Sequence, residues 1–521
     1  MARMTAKHAI GREDVPALID EIGSTTWGDF DRRVNRLIHG LRTAGLAPGD
    51  VFATFCGNRR EFFEIMTAAA HGGWLYVPVN WHFTAEELAY VVENSDSKLL
   101  IADARFEDVV REALSRDDFP HLPAPILIGA DSARTDFTDY EALLSNASDA
   151  EPDAQCMGGP MFYTSGTTGR PKGVRSKSQP PGGPIEILEM MSAGMPGMLQ
   201  IPEHGTTLLC GPVYHSAQWA FSFLPLMNGS SIVMRHRFDA AETLATIDAH
   251  GVTNVHLVPT QFHRLLKLDD AARDGFSGRS LTAVWHGAAP CPPDAKRRMI
   301  EWWGSVIHEY YGSTEGSIVS TCSAEEWLAR PGALGKPVPI VEVHIVKEDG
   351  TPAAPGESGT IYVKNLMGAD FEYHKEPEKT ASAHLEPGVF TFGDVGFLDE
   401  DGYLFMSDRK IDMIISGGVN IYPAEIEGVL TAHAKVQDAA VFGIPNEEFG
   451  EEVKAAVELV PGNEASEALE AELVAHVRAH LAGYKAPKSV DFETSLPRHP
   501  TGKLYKRLLR DRYWEGMARS I

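Results

Sequence analysis

Long apolar runs are missing from this chain. No stretch approaches the roughly 20 residues that a membrane-spanning helix needs, so the 521-residue sequence predicts no transmembrane segment. Cysteine is scarce. Cys56, Cys156, Cys210, Cys291 and Cys322 are scattered, with no Cys-x-x-Cys pair. That excludes a disulfide-stapled scaffold and disfavours structural zinc, and it leads to buried thiols in a reducing, cytoplasmic setting. Arg3, Lys7, Arg12, Glu13 and Asp14 occupy the N-terminus without an apolar segment among them, so no secretory signal is expected. Excess positive charge is also absent. The formal net charge is −25, which disfavours nucleic acid as a partner. We find no Ser/His/Asp or Cys/His constellation for covalent catalysis.

What is present is the composition of a soluble globular protein, 43% hydrophobic and 23% charged, at a length that implies two or more domains. Helix and strand patterns alternate. Phe30, Val34, Leu37, Ile38 and Leu41 fall at helical spacing, and Gly45 then Pro48 end that helix. Val51–Cys56, Lys98–Ala102 and Leu281–Trp285 read as short buried strands. The alternation predicts α/β layers with ligand loops at strand ends. A boundary is expected near residue 409, after the turn-rich Asp399–Tyr403. Beyond it, Ala439–Phe442 and Val453–Val460 read as strands, and Leu469, Leu473, Val474, Val477 and Leu481 as a helix stripe. This divides the chain into residues 1–408, a hinge at 409–412 and a small α+β domain at 413–521.

Residues 163–175 read Tyr-Thr-Ser-Gly-Thr-Thr-Gly-Arg-Pro-Lys-Gly-Val-Arg. Glycines let a backbone approach a ligand closely, hydroxyls donate to phosphate oxygens, and Lys172 adds charge. By composition such a stretch is a solvated loop or a phosphate cradle. It is not a P-loop, because no Gly-Lys-Ser/Thr occurs at the required spacing.

The order Ser-Gly-Thr-Thr-Gly-x-Pro-Lys-Gly resembles the signature loop of the adenylate-forming enzymes: acyl-CoA synthetases, peptide-synthetase adenylation domains and beetle luciferases. Further stretches resemble that superfamily in its order: Tyr311-Gly312-Ser313-Thr314-Glu315, Gly393-Asp394, Asp408–Asp412, Gly417–Glu427 and Pro500-Thr501-Gly502-Lys503. Together they cover roughly residues 25–510. The resemblance is closest to fatty-acid–CoA ligases. It implies an α/β fold with a large N-terminal adenylating domain of several subdomains and a small, mobile C-terminal lid. It also implies an acid–thiol ligase that uses ATP and CoA as co-substrates with Mg²⁺.

Residue roles follow from the resemblance. Thr164, Ser165, Gly166, Thr167, Thr168, Gly169 and Lys172 would hold the β- and γ-phosphates. Gly287, Ala288, Ala289, Glu309, Tyr310, Tyr311 and Gly312 would surround the adenine, with Tyr311 as stacking face. Thr314 would contact the α-phosphate, and Glu315 would take Mg²⁺, a hard cation that prefers oxygen ligands. Asp394 and Arg409 would reach the ribose. Lys503 would supply charge between acyl carboxylate and α-phosphate, then withdraw as the small domain rotates. Gly417 and Gly418 would let the pantetheine arm pass, with Phe449, Tyr484 and Lys488 on the CoA nucleotide. The sequence departs from the superfamily pattern at Ile411, where a charged residue is usual, at Phe392 in place of Thr before Gly-Asp, and at His286 before Gly-Ala-Ala.

For the acyl group, His215 in Gly211–Ala217 would close a pocket formed by Trp219, Phe221 and Trp285, with Met190, Met191, Met195 and Met198 as an adaptable wall. No acidic or basic residue is placed to pair with an amino-acid head group. An apolar acid is therefore expected, a medium- or long-chain fatty acid first and a bulky steroid or aromatic acid second. A stand-alone adenylation enzyme loading a carrier protein and a nucleotide-binding protein with a decayed site remain open readings, as does a homodimer.

Overall fold

The computed structural model describes residues 3–117, 119–120, 122–129, 136–164, 170–178, 180–409, 412–416, 419–446, 449–498 and 504–515. Short apolar runs become buried parallel strands, with less buried strands at the margins. Val51–Phe55, Leu75–Pro78, Leu100–Asp103, Ile126–Ile128, Thr138–Asp139 and Gly159–Pro160 form one all-parallel sheet. Such a sheet needs cover on both faces. Part of that cover is the helix Trp27–Thr43, whose Phe30, Val34, Leu37, Ile38 and Leu41 are fully buried. Each such side chain stabilises the fold by roughly 1.5–3 kcal/mol. Thr26 starts this helix by accepting from the Asp29 amide at 3.2 Å.

A second sheet runs from Lys336–Pro337 at one edge through Ser317–Cys322, Ile307–Ser313, Ala283–His286, Asn254–Leu257, Thr206–Leu209 and Ser231–Met234 to Pro16–Ile19 and Ser24–Thr26. It is parallel from Ile307–Ser313 to Pro16–Ile19, with antiparallel strands at both margins. A small antiparallel sheet joins Phe162–Thr164, Lys172–Ser176 and the distant Phe371–Tyr373. Another antiparallel sheet contains Val389–Leu398 and Leu404–Arg409. These sheets make up the large N-terminal domain.

The small domain is an antiparallel sheet of Val419–Ile421, Ile414–Ser416, Gly450–Leu459 and Val436–Asn446, with Ser489–Glu493 added in parallel. The helices Pro423–Thr431 and Glu467–His480 close its core, where Ile414, Leu430, Val441, Val457 and Leu473 are fully buried. It meets the large domain where Lys267 donates to Gln437. The expected hinge lies partly outside the described residues, since Lys410 and Ile411 fall there.

The labels used below are β1 (Phe162–Thr164), β2 (Lys172–Ser176), β3 (Ala283–His286), β4 (Ile307–Ser313) and β5 (Val389–Leu398), with helices α1 (Ile185–Leu199), α2 (Ser216–Met227) and α3 (Pro293–Trp303).

Candidate active site

β1 and β2 form a hairpin in which Thr164 stands opposite Lys172. Ser165, Gly166, Thr167, Thr168 and Gly169, the loop between them, lie outside the described residues. Lys172 is half-buried, and burial, then the Lys379 charge, holds its ammonium below the usual lysine range. Its Nζ sits 5.1 Å above the Tyr373 ring, a cation–π contact. The Tyr373 hydroxyl donates to Glu315 Oε1 at 3.0 Å. Tyr373 thus ties the signature-loop lysine to the expected metal carboxylate. Nothing in the sequence marked it, because Phe371–Tyr373 carries no motif.

β4 delivers the next group. Beyond its end, Thr314 Oγ1 and Ser216 Oγ, at the start of α2, are 2.8 Å apart. The Ser313 hydroxyl accepts from the amides of Glu315 and Gly316 at 3.1 and 3.0 Å, shaping the turn. Tyr311 is buried, and its hydroxyl donates to Asp394 Oδ2 on β5 at 2.7 Å. Asp394 is 4% exposed and stands in register opposite Arg409. Phe392 packs against Tyr311 at 6.1 Å and Phe390 at 5.9 Å between ring centres. A Cβ on Gly316 would run into the Phe392 ring.

At the expected adenine turn, a Cβ on Gly287 would meet the Tyr310 ring at 2.6 Å, so only glycine lets the two strands approach this closely. Ala288 takes φ +65°, a left-handed conformation that costs a non-glycine residue about 1 kcal/mol or more. The Glu309 carboxylate is engaged elsewhere. It accepts from Lys296 Nζ of α3 at 2.5 Å, and both side chains are buried. The Lys296 ammonium also lies 4.8 Å from the centre of the Trp327 ring. Burial outweighs the lysine's attraction and pushes the Glu309 carboxyl up. His286, directly opposite Glu309 in register, is fully buried, and burial first, then Lys296, drives its imidazole well down. Lys296 lies between Ala295 and Arg297-Arg298, a context that reads as solvated helix surface.

On the acyl side, His215 caps α2, with Nδ1 accepting from the Ala217 amide at 3.4 Å. Phe221 and Trp285 pack into an aromatic cluster with His256 and Tyr310. There Gln218 Nε2 donates to His256 Nδ1 at 2.9 Å, and the other imidazole nitrogen meets the Tyr310 hydroxyl at 3.1 Å. Trp219 faces another way. It lines a partly open cavity of about 100 Å³ together with Tyr76, Leu188, Met191, Phe223, Arg175 and Ser176. Of the methionines on α1, Met191 is on that wall, whereas Met190 is 64% exposed.

In the small domain, Phe449 and Tyr484 are exposed aromatics, and Lys488 flanks an open groove along Glu467–His480 with Arg478, Glu467 and Glu470. Gly417, Gly418 and Lys503 lie outside the described residues, and only the backbone of Arg409 is described. Tyr505, just beyond Lys503, is near enough to Tyr214, the neighbour of His215, for its charge to add to burial in raising the Tyr214 phenol. Among the described residues no cluster of His, Cys, Asp and Glu could hold a metal by itself. Among them also, no helix is long and apolar enough to cross a membrane.

A buried carboxylate held by Tyr311, a lysine over an aromatic ring and a second carboxylate held by that ring's hydroxyl come together in an α/β domain with a small second domain, the arrangement expected of a nucleotide-activating ligase. Residues 5–368 match the AMP-binding enzyme family and residues 425–503 the AMP-binding enzyme C-terminal domain, and the chain belongs to this family of AMP-forming acid–thiol ligases. It is 33% identical over 492 residues to a feruloyl-CoA synthase of an Amycolatopsis species, covering 94% of each chain. It is 31% identical, over 94% of this chain and 93% of the other, to the long-chain-fatty-acid–CoA ligase FadD13 of Mycobacterium tuberculosis. The structure of o-succinylbenzoate CoA synthetase from Bacillus subtilis with its acyl-adenylate intermediate superposes with a TM-score of 0.82 at 27% identity, over 98% of each chain.

Proposed function

We propose that this enzyme joins an apolar carboxylic acid to CoA through an acyl-adenylate. A carboxylate oxygen attacks the α-phosphorus of ATP, the bond to the β-phosphate breaks, and pyrophosphate leaves. The CoA thiol, losing its proton, then attacks the acyl carbonyl, the acyl–phosphate C–O bond breaks, and AMP leaves. The observation that carries this reading is the joint anchoring of Lys172 and Glu315 by Tyr373. A cation and a carboxylate are held beside one another next to the expected phosphate loop, while Thr314 and Ser216 stand at the start of the acyl-side helix. Preorganised charge and positioning are what such a displacement needs.

Glu315 is an oxygen donor of the type Mg²⁺ prefers, and one carboxylate with nucleotide phosphates and waters is an ordinary set for that ion. Mg²⁺ bound there supplies charge neutralisation on the phosphates. Asp394, held by Tyr311, accepts the ribose hydroxyls, with Arg409 across the strand pair. Residues 409–412 act as the hinge between residues 1–408 and 413–521. The nearness of Tyr505 to Tyr214 supports a contact between the small domain and the acyl side in one orientation. Exposed Phe449 and Tyr484 favour free CoA over a carrier protein.

The acid in this reading is an apolar one, a medium- or long-chain fatty acid before a bulky steroid or aromatic acid. The cavity beside Trp219, about 100 Å³, has mostly apolar walls, with Arg175 and Ser176 also on them. The test is incubation of the protein with a panel of acids, ATP and Mg²⁺, with and without CoA, read by mass. Acyl-CoA supports the proposal. Acyl-adenylate that persists in the presence of CoA points to a carrier-protein acceptor. Absence of both products refutes ligase activity.

A further inference from the structure

Lys296 is fully buried on α3, and its Nζ meets Glu309 Oε2 at 2.5 Å. Taking two charges out of water is costly, and an apolar pair of similar volume is often as stable. Stability alone is therefore a weak account of this pair. The second carboxylate oxygen, Oε1, accepts no hydrogen bond from the described residues. The other titratable groups facing Glu309 are His286 on β3, Cys291 just before α3, and Cys322, its register partner on the antiparallel neighbour of β4. Burial keeps the imidazole and both thiols neutral. Lys296 thus supplies the charge that the carboxylate meets.

Glu309 stands at the far end of the expected base. It precedes Tyr311 by two positions on β4, so both side chains leave the same face, about 6.6 Å apart along the strand. The Tyr311 hydroxyl is fixed to Asp394. Gly287, just beyond β3, closes against the Tyr310 ring before the left-handed turn at Ala288. A purine laid on Tyr311 with its sugar towards Asp394 would direct its six-membered ring to Glu309. An ionised oxygen there accepts from the 6-amino group of adenine. It repels the 6-oxo group of hypoxanthine or guanine, because acceptor would face acceptor.

We propose that Lys296 is a positioning residue for base selection: by fixing one oxygen of Glu309 it presents the other to the exocyclic amine of adenine and turns away a 6-oxo purine. The inference rests on the nucleotide half of the ligase reading above and names the group that sets its base specificity. Without Lys296 the buried carboxyl loses its counter-charge and takes up a proton. As an acid it can donate to a 6-oxo group, so selection relaxes.

The experiment measures dissociation constants of AMP and IMP by calorimetry, from about pH 6 to about pH 8.5, in wild type, Lys296→Met and the double variant Lys296→Met with Glu309→Gln. Nucleotide ratios are compared within each variant, so a reduced folded fraction cancels. Wild type is expected to prefer AMP by about tenfold or more throughout. In Lys296→Met the preference should fall towards one at the acid end and return as rising pH ionises the carboxyl. The double variant removes both charges and keeps the test open if the single one does not fold. Its ratio should lie near one at every pH, because an amide both donates and accepts. Equal binding of AMP and IMP by wild type would overturn the proposal. So would a ratio that Lys296→Met leaves unchanged across the pH range, which is what a purely structural pair gives, or a preference that survives in the double variant. Pyrophosphate release with the acid panel separates the two readings. If base selection behaves as stated and no acid releases pyrophosphate, the ligase reading falls and this inference stands. If pyrophosphate is released and the ratio ignores Lys296, this inference alone falls.

Discussion

Asp394→Asn tests the nucleotide side most sharply, because it changes charge and leaves shape. The carboxylate is 4% exposed and accepts from Tyr311 at 2.7 Å. Asparagine keeps an oxygen for that bond, so the Tyr311 phenol is not left unpaired. What is lost is charge towards the ribose. A hydrogen bond to a charged acceptor is worth about 1.5–3 kcal/mol and one to a neutral acceptor about 0.5–1.5 kcal/mol. If each ribose hydroxyl donates to Asp394, wild type should discriminate against 2′-deoxyATP by about 13- to 160-fold in kcat/KM, and the variant by about 2- to 13-fold. The assay is pyrophosphate release with ATP and 2′-deoxyATP, using one acid at saturation. The paired design matters. A variant that merely loosens the site would raise the KM for both nucleotides and preserve their ratio. An unchanged ratio in folded Asp394→Asn would refute the assignment of the ribose to this residue.

Other outcomes follow from the same geometry. Glu315→Gln should weaken Mg²⁺-dependent adenylation more than AMP binding, because the cation needs the charge; titration of Mg²⁺ that gives no rescue, with equal loss of AMP affinity, would make Glu315 structural. Lys503→Ala should slow adenylate formation by about 10²–10³ while sparing thioester formation from supplied acyl-adenylate, and equal loss in both half-reactions would contradict domain rotation. Lys296→Met leaves Glu309 buried and uncompensated, at about 3–5 kcal/mol; the added Glu309→Leu change should restore most of the thermal midpoint, and a double variant no more stable than the single one would show that the ion pair is not the cause. His71 and His256 are fully buried, and burial lowers their imidazoles to about 4 and about 3. Their neutral forms are favoured only in the folded state, so stability is undiminished above the unfolded value near 6.5 and falls below it, by about 2 kcal/mol per histidine at pH 5. Denaturant midpoints should therefore drop between pH 7 and 5, and a flat profile would count against those buried neutral histidines.

Much of the fold was legible because local pattern and burial agree. The helix stripe Phe30–Leu41 and the strand at Val51 are apolar at the period their structure needs. Boundaries were less so. Asp103 belongs to the strand Leu100–Asp103 although it is acidic, because Arg59 and Arg105 meet its carboxylate at 3.0 and 2.6 Å. His286 likewise ends β3 fully buried. At the site, motif residues were visible and their supports were not. Tyr373 reaches Glu315 across 58 positions of sequence, and Lys296 is distinguished from its arginine neighbours only by a carboxylate on β4. Such contacts depend on which strands become neighbours, a property of the folded chain and not of any window along it.

The Phe392 ring occupies the space where a side chain on Gly316 would begin. The two positions are therefore epistatic. While Phe392 is present, any mutation at Gly316 displaces the ring and, through it, Tyr311 and the loop carrying Glu315, so selection sees a forbidden substitution. A smaller residue at 392 would relieve the sharpest part of that constraint before any change at 316 occurred, leaving the Phe390 ring at 3.1 Å as the next contact. The order of mutations is thus fixed: a lineage leaving this arrangement must first lose the aromatic ring, and one entering it must first hold glycine.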